Sequence, residues 1–250
     1  MKYSYRSRQH QSHQKLLFIG IVIGLAIGLV IYFANPLVET KTVYKGNPMP
    51  FFSQINLLAV DQDGNGVATP LIVEATPGNG KILTDIEKLL FWTDTQQSIQ
   101  TARDVALKAA NIDMNDYDIV YSISSDATVI GGPSAGAALT IATVAALENK
   151  TLKDDIVITG TIEPNGSIGQ VGGVLEKATA AKDIGATVFL VPAGQSEETY
   201  LKPQENCTRR AGFLFCQTTY DRITVNIGED VGISVIEVQN IDDALKYFGL

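Results

Sequence analysis

The chain has 250 residues, 45% of them hydrophobic, which suits one globular domain of moderate size with something added. Its formal net charge is −8, and the N-terminal leader masks a larger asymmetry: beyond residue 15 stand 15 basic and 27 acidic residues, a net of −12. Such a surface repels nucleic acid and anionic headgroups, so neither is an expected partner; beyond residue 13 there is no histidine, and two cysteines alone cannot furnish a structural zinc site.

Residues 1–15 carry Lys2, Arg6, Arg8 and Lys15 and no acid. The run 16-LLFIGIVIGLAIGLVIYFA-34 follows, nineteen residues without a charge. As a helix it rises roughly 28 Å, about the thickness of the hydrocarbon core. A secretory apolar core is shorter, about 7–15 residues, so an uncleaved anchor is expected, with cleavage near Ala34 or Asn35 as the alternative. Beyond it come only Lys41 and Lys45, with Glu39 between them. The positive-inside rule then leaves residues 1–15 cytoplasmic and everything past Pro36 outside, a single-pass cell-membrane topology. Residues 35–49 read as a linker and 50–250 as the folded domain.

Within that domain, 54–60 and 67–75 look like two strands joined by 61-DQDGNG-66. That hexapeptide copies the start of a calcium loop, but Ile72 stands where a bidentate glutamate is needed, so a hairpin turn is expected. The run 75-ATPGNGKI-82 is similarly close to a phosphate loop and fails it, with Ala75 in place of glycine and Ile82 in place of Ser or Thr. A short strand at 79–84 precedes 95–112, whose apolar positions 99, 102, 105, 106, 109 and 112 make a helical stripe. Then come a strand at 117–124, the turn 131-GGPSAG-136, and an Ala-rich helix over 134–148. A strand at 155–160, a polar turn at 163–167 and the pair Gly172-Gly173 lead into a helix over 174–184 and a strand at 187–192. After an insert at 195–224, a strand at 233–238 and a helix at 241–248 close the chain. Alternating strands and helices predict an α/β or α+β domain with a mixed sheet.

The turn at 131–136 matches G-x-S-x-G, with Ser134 at its centre. A serine hydroxyl needs a base within hydrogen-bond reach to act as a nucleophile. The only histidines, His10 and His13, fall on the far side of the expected membrane, so a Ser-His-Asp triad is excluded within one chain. The base must be a lysine or a carboxylate, and burial suits lysine by lowering its pKa. On the 174–184 helix both Lys177 and Lys182 flank the apolar side, and periodicity does not choose between them. The two cysteines, Cys207 and Cys216, bracket Gly212 and read as a disulfide closing a short loop in an oxidising compartment. Asn149, Asn165 and Asn206 each open an N-x-S/T triplet, a weak sign of surface glycosylation.

The segment from GPSAG through 159-TGTIEPNGSIGQVGGVLEKATAAKDIGATVFLVP-192 resembles the proteolytic domain of Lon proteases, whose pattern runs G-P-S-A-G, T-G-x-I, then G-G-x-x-x-K. With 71-LIVEATPGNGKILTDI-86 the likeness covers roughly residues 50–250. The resemblance implies that Ser134 and Lys177 form a Ser-Lys dyad, with Thr159 orienting the lysine, and that protein or peptide substrates are cut through an acyl-enzyme without a cofactor. It also implies a homo-oligomeric ring, such as a hexamer. No ATPase module is expected to accompany the domain. One departure is Gly131, where many members have aspartate. The backbone N–H groups of loop 131–134, with Gly131, Gly132 and Gly136 giving close approach, are the expected oxyanion donors. Two other classes compete: a catalytically silent scaffold of the same fold, and a small-molecule kinase of the GHMP type, which also sets a Gly/Ser-rich loop before an Ala-rich helix but needs ATP.

Overall fold

The computed structural model describes residues 50–85, 90–91, 93–123, 129–130 and 132–250, together with Val22, Gly24 and Leu25. The chain divides into two units, Met1–Gly46 and Asn47–Leu250. In the first, Val22, Gly24 and Leu25 are helical and exposed. The rest of the expected span 16–34 lies outside the described residues, among which no helix is long and apolar enough to cross a membrane.

The second unit begins with a hairpin of β1 (Phe51–Val60) and β2 (Gly66–Pro77), paired from Phe51↔Ala75 to Val60↔Gly66. Alternation fixes its faces: Ser53, Ile55 and Leu57 are buried while Phe52 and Gln54 are exposed. The 61–66 segment is a hairpin turn, as expected. The Asp61 carboxylate accepts the N–H groups of Asp63 at 2.9 Å and Asn65 at 2.8 Å, which holds that carboxyl below the usual range. The glycine-rich run that fails as a phosphate loop is filled from within. Asp118 accepts the N–H groups of Asn79 at 2.7 Å and Lys81 at 2.8 Å.

β3 (Ile82–Thr84) and β4 (Leu90–Phe91) lead to helix α1 (Thr93–Ala109), then β5 (Tyr117–Ile123) and β6 (Val129–Ile130). The first sheet has the order β1-β2-β5-β3 and is mixed, because β3 pairs parallel to β5 while the other pairs are antiparallel. Helix α2 (Gly136–Leu147) is buried at all twelve positions. A helix apolar on every side belongs in a core, and α2 packs between α1 and the first sheet.

β7 (Ile156–Ile158), the short pair β8 (Thr161–Ile162) and β9 (Ile168–Gly169), helix α3 (Val174–Asp183) and β10 (Val188–Pro192) follow. After the β11 (Glu197–Arg210) and β12 (Phe213–Asn226) hairpin come α4 (Ile227–Val231), β13 (Ser234–Val238) and α5 (Ile241–Phe248). A second sheet, β13-β10-β7, is wholly parallel. Thus the expected mixed sheet is present, but the strands divide into two principal sheets.

The parallel sheet is a wall between two cores. Ile156, Ile158 and Leu190 face the core around α2, whereas Val157, Phe189 and Val191 face the core around α3. Burial on both faces explains why these strands read as continuous apolar runs. Ser134 is therefore carried by one core and Lys177 by the other. Both line one cleft beyond the ends of the parallel strands.

One contact stitches the two halves together. A Cβ at Gly66 would overlap the Glu176 carbonyl of α3, so β2 and α3 approach as closely as they do only because residue 66 has no side chain. Gly66→Ala is expected to lower stability by about 1–3 kcal/mol, as overpacking does, and to displace α3. Thermal denaturation checks the first effect. An unchanged midpoint would show that the two elements separate freely.

Candidate active site

The site is built at the carboxyl ends of the parallel strands, the usual place for ligands in open α/β sheets. Chain leaving β7 passes directly through Thr159 and Gly160, and both hold the nucleophile turn. The Ser134 carbonyl accepts the Gly160 N–H at 3.0 Å and the Thr159 hydroxyl at 3.3 Å. Thr159 is 1% exposed. Its hydroxyl is committed to the serine backbone, and among the described residues no hydrogen bond links it to Lys177.

Two further side chains fix the same turn from α1. Thr95 donates its hydroxyl to the Gly132 carbonyl at 3.3 Å, and Ser98 donates to the Pro133 carbonyl at 3.3 Å. Three consecutive carbonyls are thereby turned into the protein. A trans peptide sets N–H opposite C=O, so the N–H groups of Ser134 and Ala135 turn outward. They sit ahead of α2, where free N–H groups and the helix dipole favour negative charge. Of these two, Ser134 belongs to the expected 131–134 loop and Ala135 lies one residue beyond it. Pro133 has no N–H, and Gly131 lies outside the described residues. Gly132 takes φ +97°, and Gly136 is buried, with room for no Cβ against Ser98 and Ile162.

Lys177 occupies the first turns of α3, entered through Gly173 at φ +67°. A side chain at Gly173 would also overlap Val60 of β1, so this glycine of the pair is required twice over. Lys177 is 3% exposed, and burial lowers its ammonium pKa to about 8, opposed by the Glu176 carboxylate beside it. Lys182, which periodicity left as an alternative, is exposed and donates to the Val231 carbonyl at the end of α4. It caps that helix and stands outside the site.

Ser134 and Lys177 line one open cleft of about 520 Å³ with Val60, Gly132, Gly173 and Glu176. No hydrogen bond joins the two side chains in this resting state, and catalytic bonds in unliganded sites are often long. One carboxylate oxygen of Glu176 is buried without a partner among the described residues. Thr95 and Ser98 escaped the sequence reading, and Glu176, which helical periodicity points away from the apolar side of 174–184, is half-buried and lines the cleft. The available signal was polar residues at positions 95 and 98 on the buried face of an amphipathic helix.

Thr159→Val should test the serine's support. Losing one donor costs about 1 kcal/mol of stability, while a displaced nucleophile typically costs up to about 100-fold in rate. A fall of about tenfold in kcat with KM unchanged, restored by Thr159→Ser, is the expected steady-state result.

Comparison with known proteins agrees with this geometry. Residues 66–219 match the family described as the Lon protease (S16) C-terminal proteolytic domain. The Lon protease of Phenylobacterium zucineum is 34% identical over 140 residues, 54% of this chain and 18% of that protein. The peroxisomal Lon protease homolog 2 of Caenorhabditis elegans is 30% identical over 193 residues, 74% of this chain and 24% of that protein. The archaeal Lon protease of Methanocaldococcus jannaschii is 31% identical over 144 residues, 54% of this chain and 22% of that protein. The chain thus spans at most about a quarter of the length of these relatives. By its match over 154 of 250 residues, and by the turn, strand end and buried lysine that the match contains, the chain belongs to the family of Lon protease C-terminal proteolytic domains.

Proposed function

We propose that this chain is a membrane-anchored serine endopeptidase that hydrolyses peptide bonds without ATP. The observation that carries the reading is Lys177: a lysine 3% exposed, brought by burial to a pKa of about 8, on the same cleft wall as Ser134. A neutral amine at that place takes the proton of Ser134 as its oxygen attacks the scissile carbonyl. The resulting oxyanion is met by the N–H groups of Ser134 and Ala135. The ammonium then returns its proton to the leaving amine, and water repeats the sequence on the acyl-enzyme.

The apolar run 16–34 and the basic leader support an anchor with the catalytic domain outside the cytoplasm. The Cys207–Cys216 disulfide accords with an oxidising compartment. Outside, ATP is scarce, which fits hydrolysis that runs without an attached motor. A ring of identical chains, such as a hexamer, acting on protein or peptide substrates is part of the same reading by likeness to the family.

The test uses the full chain in detergent, with a fluorescent unfolded protein and no nucleotide. Cleavage is expected, and acid quenching should trap an acyl group on the peptide containing Ser134, read by mass spectrometry. Hydrolysis that requires ATP, or an adduct elsewhere, would refute the mechanism.

A further inference from the structure

The hairpin β11–β12 is unlike the rest of the molecule. Its strands pair residue for residue from Glu197↔Asn226 to Arg210↔Phe213, with the turn made by Ala211 and Gly212 at φ +49° and +82°. Fourteen residues per strand reach roughly 45 Å. Nearly every residue is exposed, and the tip carries Phe213 at 71%, Leu214 at 62% and Phe215 at 59%. An isolated two-stranded ribbon is marginal in water. Here the Cys207–Cys216 bond closes its end, an addition of about 2–3 kcal/mol in the chain-entropy model. The crosslink thus holds apolar side chains in solvent, where folding gains nothing from them, and clustered exposed apolar groups mark interaction sites.

Three observations define what the tip fits. By the register, Arg210, Phe213 and Phe215 share one face, while Arg209 and Leu214 share the other. Apolar contact is available on both sides, which suits a pliant chain that wraps the tip better than a flat rigid surface. Secondly, Arg209 and Arg210 are the only charges between the two cysteines, in an exterior of net charge −12. The tip therefore selects acidic character while the remainder of the surface repels it. Thirdly, the stem is tied to the catalytic cleft. Gln195, two residues before β11, donates to the Val171 carbonyl at 2.6 Å and accepts the Val171 N–H at 2.9 Å, and Val171 lines the cleft beside Ser134 and Lys177.

We propose that the hairpin is a substrate-capturing arm, whose tip binds extended polypeptide segments carrying apolar and acidic side chains and tethers them within an arm's length of the cleft. This rests on the peptidase reading above. Retention converts encounter with the cleft into an intramolecular event, which raises the effective concentration of long chains and does nothing for short ones.

The experiment compares two probes on the full chain in detergent: reduced, carboxymethylated lactalbumin, which is unfolded and acidic, and a short fluorogenic peptide. For the triple variant Phe213→Ser, Leu214→Ser, Phe215→Ser, and separately for Arg209→Glu with Arg210→Glu, KM for lactalbumin should rise about tenfold. Its kcat, and all hydrolysis of the short peptide, should stay unchanged. Reducing the disulfide should raise the same KM. An unchanged KM in both variants, or a loss of oligomer mass by light scattering that accounts for the defect, overturns the proposal, the latter making the tip an assembly contact. If the unaltered chain cleaves neither probe, the peptidase reading fails separately. Anisotropy of labelled lactalbumin on the Ser134→Ala chain then decides the arm alone, with tip-dependent binding supporting it and tip-independent binding overturning it.

Discussion

Ser134→Ala and Lys177→Met should each abolish turnover, by about 10⁴-fold or more in kcat, while leaving a folded chain. Groups that act as one unit lose their effect together, so the double variant should be no worse than the poorer single one. Lys177→Arg should be equally inactive, since a guanidinium stays charged at any usable pH and cannot accept the serine proton. The two single variants part company in stability. Ser134 is half-buried in a turn held by its backbone, so its hydroxyl contributes little to folding. Lys177 is 3% exposed with its pKa depressed from 10.5 to about 8, a penalty of about 3 kcal/mol at neutral pH. Lys177→Met removes the charge and retains the stem, so its midpoint of thermal unfolding should rise by several degrees. An inactive but stabilised Lys177→Met chain is the signature of a residue kept for chemistry. A variant both active and stabilised would reduce Lys177 to a buried structural lysine.

The parts of this molecule set by local pattern were legible before any coordinates. The strand-like runs 54–60 and 67–75 around a turn, the stripe from Ile99 to Ala106 and the apolar run at 187–192 each name their element, and the structure has β1, β2, α1 and β10 there. The absence of histidine after residue 13 pointed to a lysine base on the same grounds. What was not legible depended on contacts between distant segments. Lys177 and Lys182 lie five residues apart on one helix, and periodicity alone does not choose between them; the family resemblance pointed to Lys177, and in the structure Lys177 is buried while Lys182 is exposed and donates to the Val231 carbonyl. Thr95 and Ser98 are unremarkable polar residues of a helix until Gly132 and Pro133 arrive beneath them. The 195–224 insert gave no core-forming pattern, because its residues face water on both sides of the ribbon; its true strands, Glu197–Arg210 and Phe213–Asn226, are defined by pairing with one another. Helix α4 was likewise missed, being one turn long and stabilised by its Asn226 cap.

The pH dependence of the reaction follows from the same lysine and carries its own sign. Activity needs the neutral amine, so kcat/KM should rise about tenfold per pH unit up to about pH 8 and level off above it, so that at pH 6 it stands about 100-fold below the plateau. Stability should rise alongside. A depressed pKa means that the unfolded chain binds the proton more tightly than the folded one. Below about pH 8 both states are charged and the burial penalty is complete. Between about 8 and 10.5 the folded state alone has shed its proton, so the penalty fades as pH increases. Lys177→Met should flatten this part of the stability curve. Glu176 supplies an independent handle, because its carboxylate favours the charged amine and opposes the effect of burial. Glu176→Gln should therefore move the rising limb of kcat/KM to lower pH, with the plateau nearly unchanged. Were the limb to move upward, or to persist unaltered, the titrating group would be something other than Lys177, and the base assigned to Ser134 would have to be sought elsewhere on the cleft wall.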